Sequence, residues 1–408
     1  MLFPIDAVRA NFAALNSDQS TIYLDNPAGT LVPKCVIDAV ATAMATASNN
    51  LGGFFRASLR ADDVVNTAHS TAAQMLGAAS ADEIIIGANM TSLTFHLSRS
   101  IGLLMKAGDE IILTRMDHEG DVAPWLMMAR DHDLVVKWLD VNRDSWRLEA
   151  DDLALLLSER TAFVALNFAS NVTGSINDIA VLVKCAKSVG ALVYVDAVQY
   201  VPHRLPDVAA LNCDFLACSS YKFYGPHLGI VWGRLDLLER MEAYKCRSVP
   251  NVLPIKFETG TPQTELQAGL TATGSYLASL GSEGSTLRER MLSGYAAFNA
   301  YEDDLTRRLI DGLKSFRGVT IHGIANLNEI EHRVPTVSFT HDRVSSHDIA
   351  RELANKDICI WSGNNYALGL MQHIGLDEQE GVVRFGIAHY NTAAEIDQAL
   401  AAVDRVLR

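Results

Sequence analysis

Two stretches decide the fold: Ala191-Leu192-Val193-Tyr194-Val195-Asp196-Ala197-Val198-Gln199, and further on Phe215-Leu216-Ala217-Cys218-Ser219-Ser220-Tyr221-Lys222-Phe223-Tyr224-Gly225-Pro226. Each opens as a short apolar run and then turns polar. A continuous apolar run of this length reads as a strand buried on both faces, the situation of a parallel sheet covered by helices. Working outward, the same texture recurs at residues 83–86, 110–113, 134–138 and 162–166. The intervening stretches 91–105, 122–131, 151–157 and 179–189 carry apolar residues at helical spacing, and two earlier helices are expected at 34–47 and 62–76. Pro33 precedes the first of these and Gly77 ends the second, as helix start and stop signals do. This alternation predicts an α/β fold, a three-layer sandwich with a mostly parallel sheet.

Beyond residue 270 the texture changes. A long helix at 287–316, a strand at 336–339, a helix at 346–355, strands at 358–361 and 382–387 and a closing helix at 393–407 predict a smaller C-terminal α+β domain. The expected division is a large domain over 18–275 and a small domain over 1–17 and 276–408. The chain has 408 residues, with 48 acidic and 34 basic side chains, a net charge of −14. That balance argues against nucleic acid or an anionic membrane as a partner, since both call for a basic surface. No charge-free window is long enough for a membrane span, and the start Met1-Leu2-Phe3-Pro4 lacks the pattern of a secretory signal. Six scattered cysteines without C-x-x-C spacing point to a reduced, cytoplasmic protein. Neither His341 with His347 nor Cys213 with Cys218 has partners at metal-ligand spacing, so no metal is expected.

Ligands of open α/β sheets bind outside the carboxyl ends of the strands. Those ends carry Gly87 to Thr91, Met116 to Glu119, Asn167 to Gly174, Asp196 to Gln199 and Ser219 to Lys222. Dinucleotide, P-loop and serine-hydrolase signatures are missing from them. Taken alone, Lys222 reads as a surface lysine, Asp196 as a helix cap, and Asn171, Gln199 and Thr91 as turn residues. Taken together, a lysine flanked by aromatics and a carboxylate at a strand end suit pyridoxal phosphate, which needs an amine for its Schiff base and a partner for its pyridine nitrogen.

At these residues the chain resembles the class V aminotransferases, fold-type I pyridoxal-phosphate enzymes, and within them the cysteine desulfurase-like branch. The resemblance begins at Tyr23-Leu24-Asp25-Asn26-Pro27-Ala28-Gly29 and includes Asp117-His118 and Ser170-Asn171-Val172-Thr173-Gly174. It continues through Phe257-Glu258-Thr259-Gly260-Thr261-Pro262 to Val383-Arg384 and Tyr390-Asn391-Thr392. It implies Lys222 as the Schiff-base lysine and α-proton shuttle, Asp196 on the pyridine nitrogen, and His118 stacked on the ring and aiding proton transfer. Met90, Thr91, Ser219 and Tyr221 would surround the phosphate, and Thr261 would reach the phosphate of a neighbouring subunit in a homodimer. Gln199 and Asn171 would contact the ring's phenolic oxygen or the substrate. Arg384 would clamp the carboxylate of a small amino-acid substrate, with Ala28 and Tyr366 beside it.

The resemblance breaks at one loop. Desulfurases carry a nucleophilic cysteine where this chain has Tyr366, in Trp361-Ser362-Gly363-Asn364-Asn365-Tyr366-Ala367. Cys359, seven residues earlier, reads as a buried structural thiol. Trp361 stands where a second substrate-binding arginine would be, and Tyr221 where a histidine commonly precedes the lysine. The expected chemistry is α-proton removal followed by C–S lyase-type elimination without a persulfide cysteine. Transamination, racemisation or epimerisation, and a non-catalytic binding protein are the alternatives. Tyr366 either exchanges a proton near the substrate or packs over the entrance, and the loop residues Trp361, Asn364, Asn365 and Tyr366 are expected to line the substrate pocket.

Overall fold

The computed structural model describes residues 3–17 and 20–408. Its largest sheet has seven strands in the spatial order Ile84–Gly87, Gly229–Gly233, Phe215–Ser219, Leu192–Asp196, Thr161–Asn167, Glu110–Thr114, Val135–Leu139. The last five pair in parallel, while Gly229–Gly233 runs antiparallel to both of its neighbours. Six of the seven strands therefore point the same way, and their carboxyl ends form one edge.

Alternation along these strands explains their unbroken apolar texture. Ile111, Leu113, Phe163, Ala165, Tyr194, Phe215 and Ala217 face one core layer, whereas Ile112, Val164, Leu166, Val193, Val195, Leu216 and Cys218 face the other. Successive side chains point to opposite faces, and both faces are covered, so neither set is free to be polar. The antiparallel strand Gly229–Gly233 escapes the sequence reading because its Gly-Ile-Val-Trp-Gly run is bracketed by glycines that read as turn punctuation. Helix Thr264–Ser279, dilute in large apolar residues and rich in Thr, Ser and Gly, escapes it too.

The smaller C-terminal α+β domain holds a four-stranded sheet, Trp361–Gly363, Val382–Gly386, Thr336–His341, Val319–His322, antiparallel throughout. It packs with helices Leu287–Lys314, Ser346–Ala354 and Ala393–Leu407 around a separate core that includes Leu309, Ile349, Phe385 and Val403. The single strand expected at 358–361 is two. Ile358–Cys359 pairs in parallel with Ile22–Tyr23, and the chain changes partners at Ile360 before Trp361–Gly363 joins Val382–Arg384. Cys359 is accordingly half-buried at a two-stranded edge rather than enclosed in a core. The expected start of the large domain, residue 18, lies outside the described residues. Among those residues no helix is long and apolar enough to cross a membrane.

Candidate functional site

The carboxyl edge of the large sheet opens into a cleft of about 620 Å³ that gathers Met90, Thr91, His118, Asn171, Asp196, Gln199, Ser219, Tyr221 and Lys222, together with Asn89, Asn167, Ala169 and Val198. An adjoining cleft of about 640 Å³ shares His118, Asn171, Tyr221 and Lys222 with it and adds Ala28, Trp361, Asn365, Tyr366 and Arg384. Thirteen positions are expected to hold the cofactor or the substrate, and twelve of them meet here. Thr261 does not. It lies in a separate groove with Gly87, Ser92 and Gln267, beyond the helix that follows the first strand of the sheet.

Lys222 sits in a single turn directly after strand Phe215–Ser219 and is 7 % exposed. Burial and the nearby Arg384 charge bring its ammonium down to about 8, against the pull of Asp196 and Asp25. A neutral, nucleophilic amine is thus within reach near neutral pH. Asp196 ends the adjacent strand, and its Oδ1 accepts the Val198 N–H at 2.7 Å. Burial raises its carboxyl to about 6, with the Val198 hydrogen bond and Lys222 opposing, so it is charged at neutral pH.

His118 follows strand Glu110–Thr114. Its Nδ1 accepts the Gly120 N–H at 2.9 Å, which puts the ring proton on Nε2. Burial, with Lys222 and Arg384 nearby, lowers it to about 3, so it is a neutral flat ring. It stacks on Tyr366 with centroids 5.4 Å apart and planes at 30°.

The helix Met90–Gly102 begins at the cleft. Asn89 caps it by accepting the Ser92 N–H at 2.8 Å, and Met90 N–H donates to Ser219 Oγ at 3.3 Å. The Thr91 N–H, in the same first turn, has no protein acceptor among the described residues. Helix starts of this kind are natural seats for phosphate. Gly229 makes the seat possible: a Cβ there would lie 2.2 Å from the Asn89 carbonyl carbon and 2.5 Å from Met90 N. Only a residue without a side chain lets the antiparallel strand pass this close.

The polar atoms around the cleft are underspent. Asn167 Oδ1, Asn171 Oδ1 and Gln199 Oε1 are buried with no hydrogen-bond partner. Such orphans are costly unless a ligand or solvent meets them. The Asn171 amide is already used, donating to Asn365 O at 2.8 Å, and the Gln199 amide donates to Thr336 Oγ1 at 3.2 Å. The site thus offers a phosphate seat, a carboxylate, a flat neutral ring, unspent amide groups and a desolvated amine. That donor set fits pyridoxal phosphate.

At the mouth, Arg384 is buried, with Nη2 on Asp25 at 3.0 Å and Nη1 on the Asn171 carbonyl at 3.2 Å, while its Nε has no partner. Asp25 thus anchors the guanidinium. The Asp25-Asn26-Pro27 run carried the resemblance without a role, so the sequence flagged the segment but not the side chain. Trp361 lies directly across from Arg384 in the antiparallel register and is half-exposed. Asn364, expected in the pocket, instead ties the loop: its Nδ2 donates to Glu378 O at 3.0 Å and its Oδ1 accepts the Tyr366 N–H at 2.9 Å. Asn365 and Tyr366 both adopt left-handed backbone, φ 53° and 58°, which asparagine tolerates and which is strained for tyrosine. The Tyr366 carbonyl accepts the Glu119 N–H at 2.7 Å, pinning the loop onto the His118 segment. Among the described residues no cysteine lines either cleft.

A family model described as aminotransferase class-V matches residues 22–399. The chain is 32% identical to an aminotransferase-like protein, FGM3, of Gibberella zeae, covering 99% of both chains. It is 30% identical to a cysteine desulfurase of Pectobacterium atrosepticum, covering 100% of this chain and 99% of the relative. Among solved structures it superposes on the cysteine desulfurase CsdA of Escherichia coli with TM-score 0.86 at 27% identity, covering 100% of this chain and 99% of the other. The apo cysteine desulfurase of Thermococcus onnurineus gives TM-score 0.88 at 27% identity over 100% and 98% of the two chains.

Proposed function

The chain belongs to the class V aminotransferase family and is a pyridoxal-phosphate-dependent enzyme, and on that premise we propose that it acts on a small amino acid by C–S lyase-type elimination without a persulfide cysteine. The observation that carries the proposal is the placement of a desolvated amine, Lys222, between a buried carboxylate at the cleft floor and a buried guanidinium at its mouth. When bound, the cofactor supplies an electron-withdrawing ring that stabilises negative charge on the substrate α-carbon.

The chain's own residues do the rest. Met90, Thr91 and Ser219 hold the phosphate, and Tyr221 closes that side. Asp196 meets the pyridine nitrogen with its carboxylate. His118, held neutral, would cover the ring face, and the unpaired amide oxygens of Asn171 and Gln199 would accept hydrogen bonds from a ring hydroxyl or from the substrate. Arg384, held by Asp25, takes the substrate carboxylate through its fork, a geometry lysine does not provide. Lys222 Nζ would hold the cofactor, and its desolvated amine would supply the base for the α-proton.

That no thiol among the described residues lines the clefts supports the persulfide-free route, and the Tyr366 loop, hydrogen-bonded to both Asn171 and Glu119, supports a fixed aromatic wall in its place. A homodimer is part of the same reading. The exposed apolar group Ile37, Met44, Phe54, Phe55 and Leu59 supports it, and Thr261 would then serve the partner's phosphate. A reduced, cytoplasmic setting accords with six free thiols.

The test is a panel of amino acids bearing β-leaving groups, assayed for pyruvate and released sulfide or thiol, alongside sedimentation of the purified protein. Elimination products without protein-bound persulfide are expected. A persulfide formed from L-cysteine, or keto acid appearing only with an amino-group acceptor, would overturn the reaction assignment.

A further inference from the structure

Behind Asp196, away from the amine, lie two further carboxyl groups that the reaction above does not use. Asp117 and Asp121 are 2 % and 0 % exposed, and one oxygen from each of Asp117, Asp121 and Asp196 lies within 4.8 Å of the other two. Three buried carboxylates this close cannot all be ionised in a low-dielectric interior.

The hydrogen bonds say which ones keep protons. Asp196 Oδ1 accepts a backbone N–H, and Lys222 faces the same group. Asp121 has neither aid. Its Oδ1 accepts the Trp125 indole N–H at 3.0 Å, and its Oδ2 is buried with no partner. Asp117 Oδ2 accepts Thr114 Oγ1 at 2.5 Å, and its Oδ1 is likewise without a partner at hydrogen-bond distance. In each outer carboxyl one oxygen is already an acceptor, so the other is the natural site for the hydroxyl proton. Burial and mutual repulsion raise both well above the ordinary aspartate range. The other titratable neighbours are Glu119 beside Asp117, Tyr194, whose phenol is kept neutral by burial and by Asp121 and Asp196, and Cys218 and Tyr221, both kept neutral by burial and by Asp196. The Asn167 side chain faces Asp117 and eases its burial.

We propose that Asp121 is a positioning residue: it stays protonated behind Asp196 and, with Asp117, confines the single negative charge of the three-carboxyl cluster to Asp196, the member that faces the cleft. Asp196 then meets the pyridine nitrogen as a fixed anion, with its charge neither shared backwards nor repelled from behind. The role at the nitrogen rests on the reading of Asp196 given above. The protonation of Asp121 does not.

Infrared difference spectroscopy of the apoprotein near pH 8, well above the ordinary carboxyl range, tests protonation directly. Subtracting Asp121→Asn from the unmodified protein cancels other buried acids such as Glu302 and should leave a protonated-carboxyl band. Its absence, or a tightly held divalent cation in the purified protein, would overturn the proposal whether or not the cofactor binds. The reconstituted protein gives the second readout. Asp121→Asn keeps a neutral donor, so the pH midpoint of the bound cofactor's absorbance should stay in place and cofactor affinity should stay within about twofold, while Asp121→Leu should weaken affinity at least tenfold. A shifted midpoint in Asp121→Asn would mean that Asp121 carries charge. Unchanged affinity in Asp121→Leu would mean that it positions nothing.

Discussion

The strand Glu110–Thr114 has a buried acid at its start and two more just past its end, and the two ends treat them in opposite ways. Glu110, 2 % exposed, meets Lys137 at 2.6 Å and Arg160 at 2.7 Å and accepts a hydrogen bond from Ser158 at 2.7 Å. Lys137 and Ser158 above all lower it to about 2. Asp117 and Asp121, beyond the carboxyl end, have no cation against them and are pushed up by burial. A second strand repeats the amino-end pattern, since Asp214, just before Phe215–Ser219, meets Lys187 and, at 2.7 Å, Arg234. Acids that serve the fold are neutralised where they stand. Acids at the carboxyl edge are left under-compensated, which is the condition for a site that has a ligand to meet.

The largest way to sharpen that contrast is at the carboxyl edge itself. Lys222→Ala should lower turnover by about 10²–10⁴-fold, the range for removing a positioned base, while the folded protein keeps its thermal transition. Full activity in a steady-state assay would break the account. Asp196→Asn should cost about 10²–10³-fold in kcat, the scale of one preorganised electrostatic partner, read in the same assay. Gly229→Ala drives a methyl into Asn89 and Met90. An overpacked contact costs about 1–3 kcal/mol, and here the loss should show as weaker cofactor binding in fluorescence titration.

The smallest effects are on stability, and at the two ends of the strand they carry opposite signs with pH. Glu110→Gln should leave kcat/KM unchanged and destabilise the protein by about 1 kcal/mol, the scale of a partly exposed ion pair. Because the folded Glu110 value is depressed, its contribution is present above the ordinary glutamate range and is lost as pH falls toward about 2. Denaturant midpoints of the variant and the unmodified protein should therefore converge in acid. For Asp121 the folded value is raised, so its stability contribution is complete below the ordinary aspartate range and is lost as pH rises. Asp121→Asn apoprotein should accordingly gain on the unmodified protein as the solution is made more alkaline.

The same contrast marks what the sequence could reveal. Strands buried on both faces, such as Leu192–Asp196, announce themselves as apolar runs, and the residue that ends each run is placed at the edge by topology alone. Asp196, Lys222 and His118 were legible for that reason. The strand Gly229–Gly233 was not, because its glycines serve a close approach to the helix start rather than a turn. Nor were the roles of Asp25, whose partner Arg384 is far along the chain, and Asp121, whose meaning depends on Asp117 in its own segment and on Asp196 at the end of another strand. Asn364 was placed in the pocket by its neighbours in sequence, yet a loop with two left-handed residues turns alternate side chains in ways that no periodicity describes.

In the proposed reaction everything turns on Lys222 as the amine that holds the cofactor. Pyridoxal phosphate added to the apoprotein, fixed with borohydride and located by peptide mass spectrometry, tests it most directly. The label should fall on the peptide containing Lys222 and vanish in Lys222→Ala. Label on another lysine, or a colourless protein that takes up none, would contradict the account.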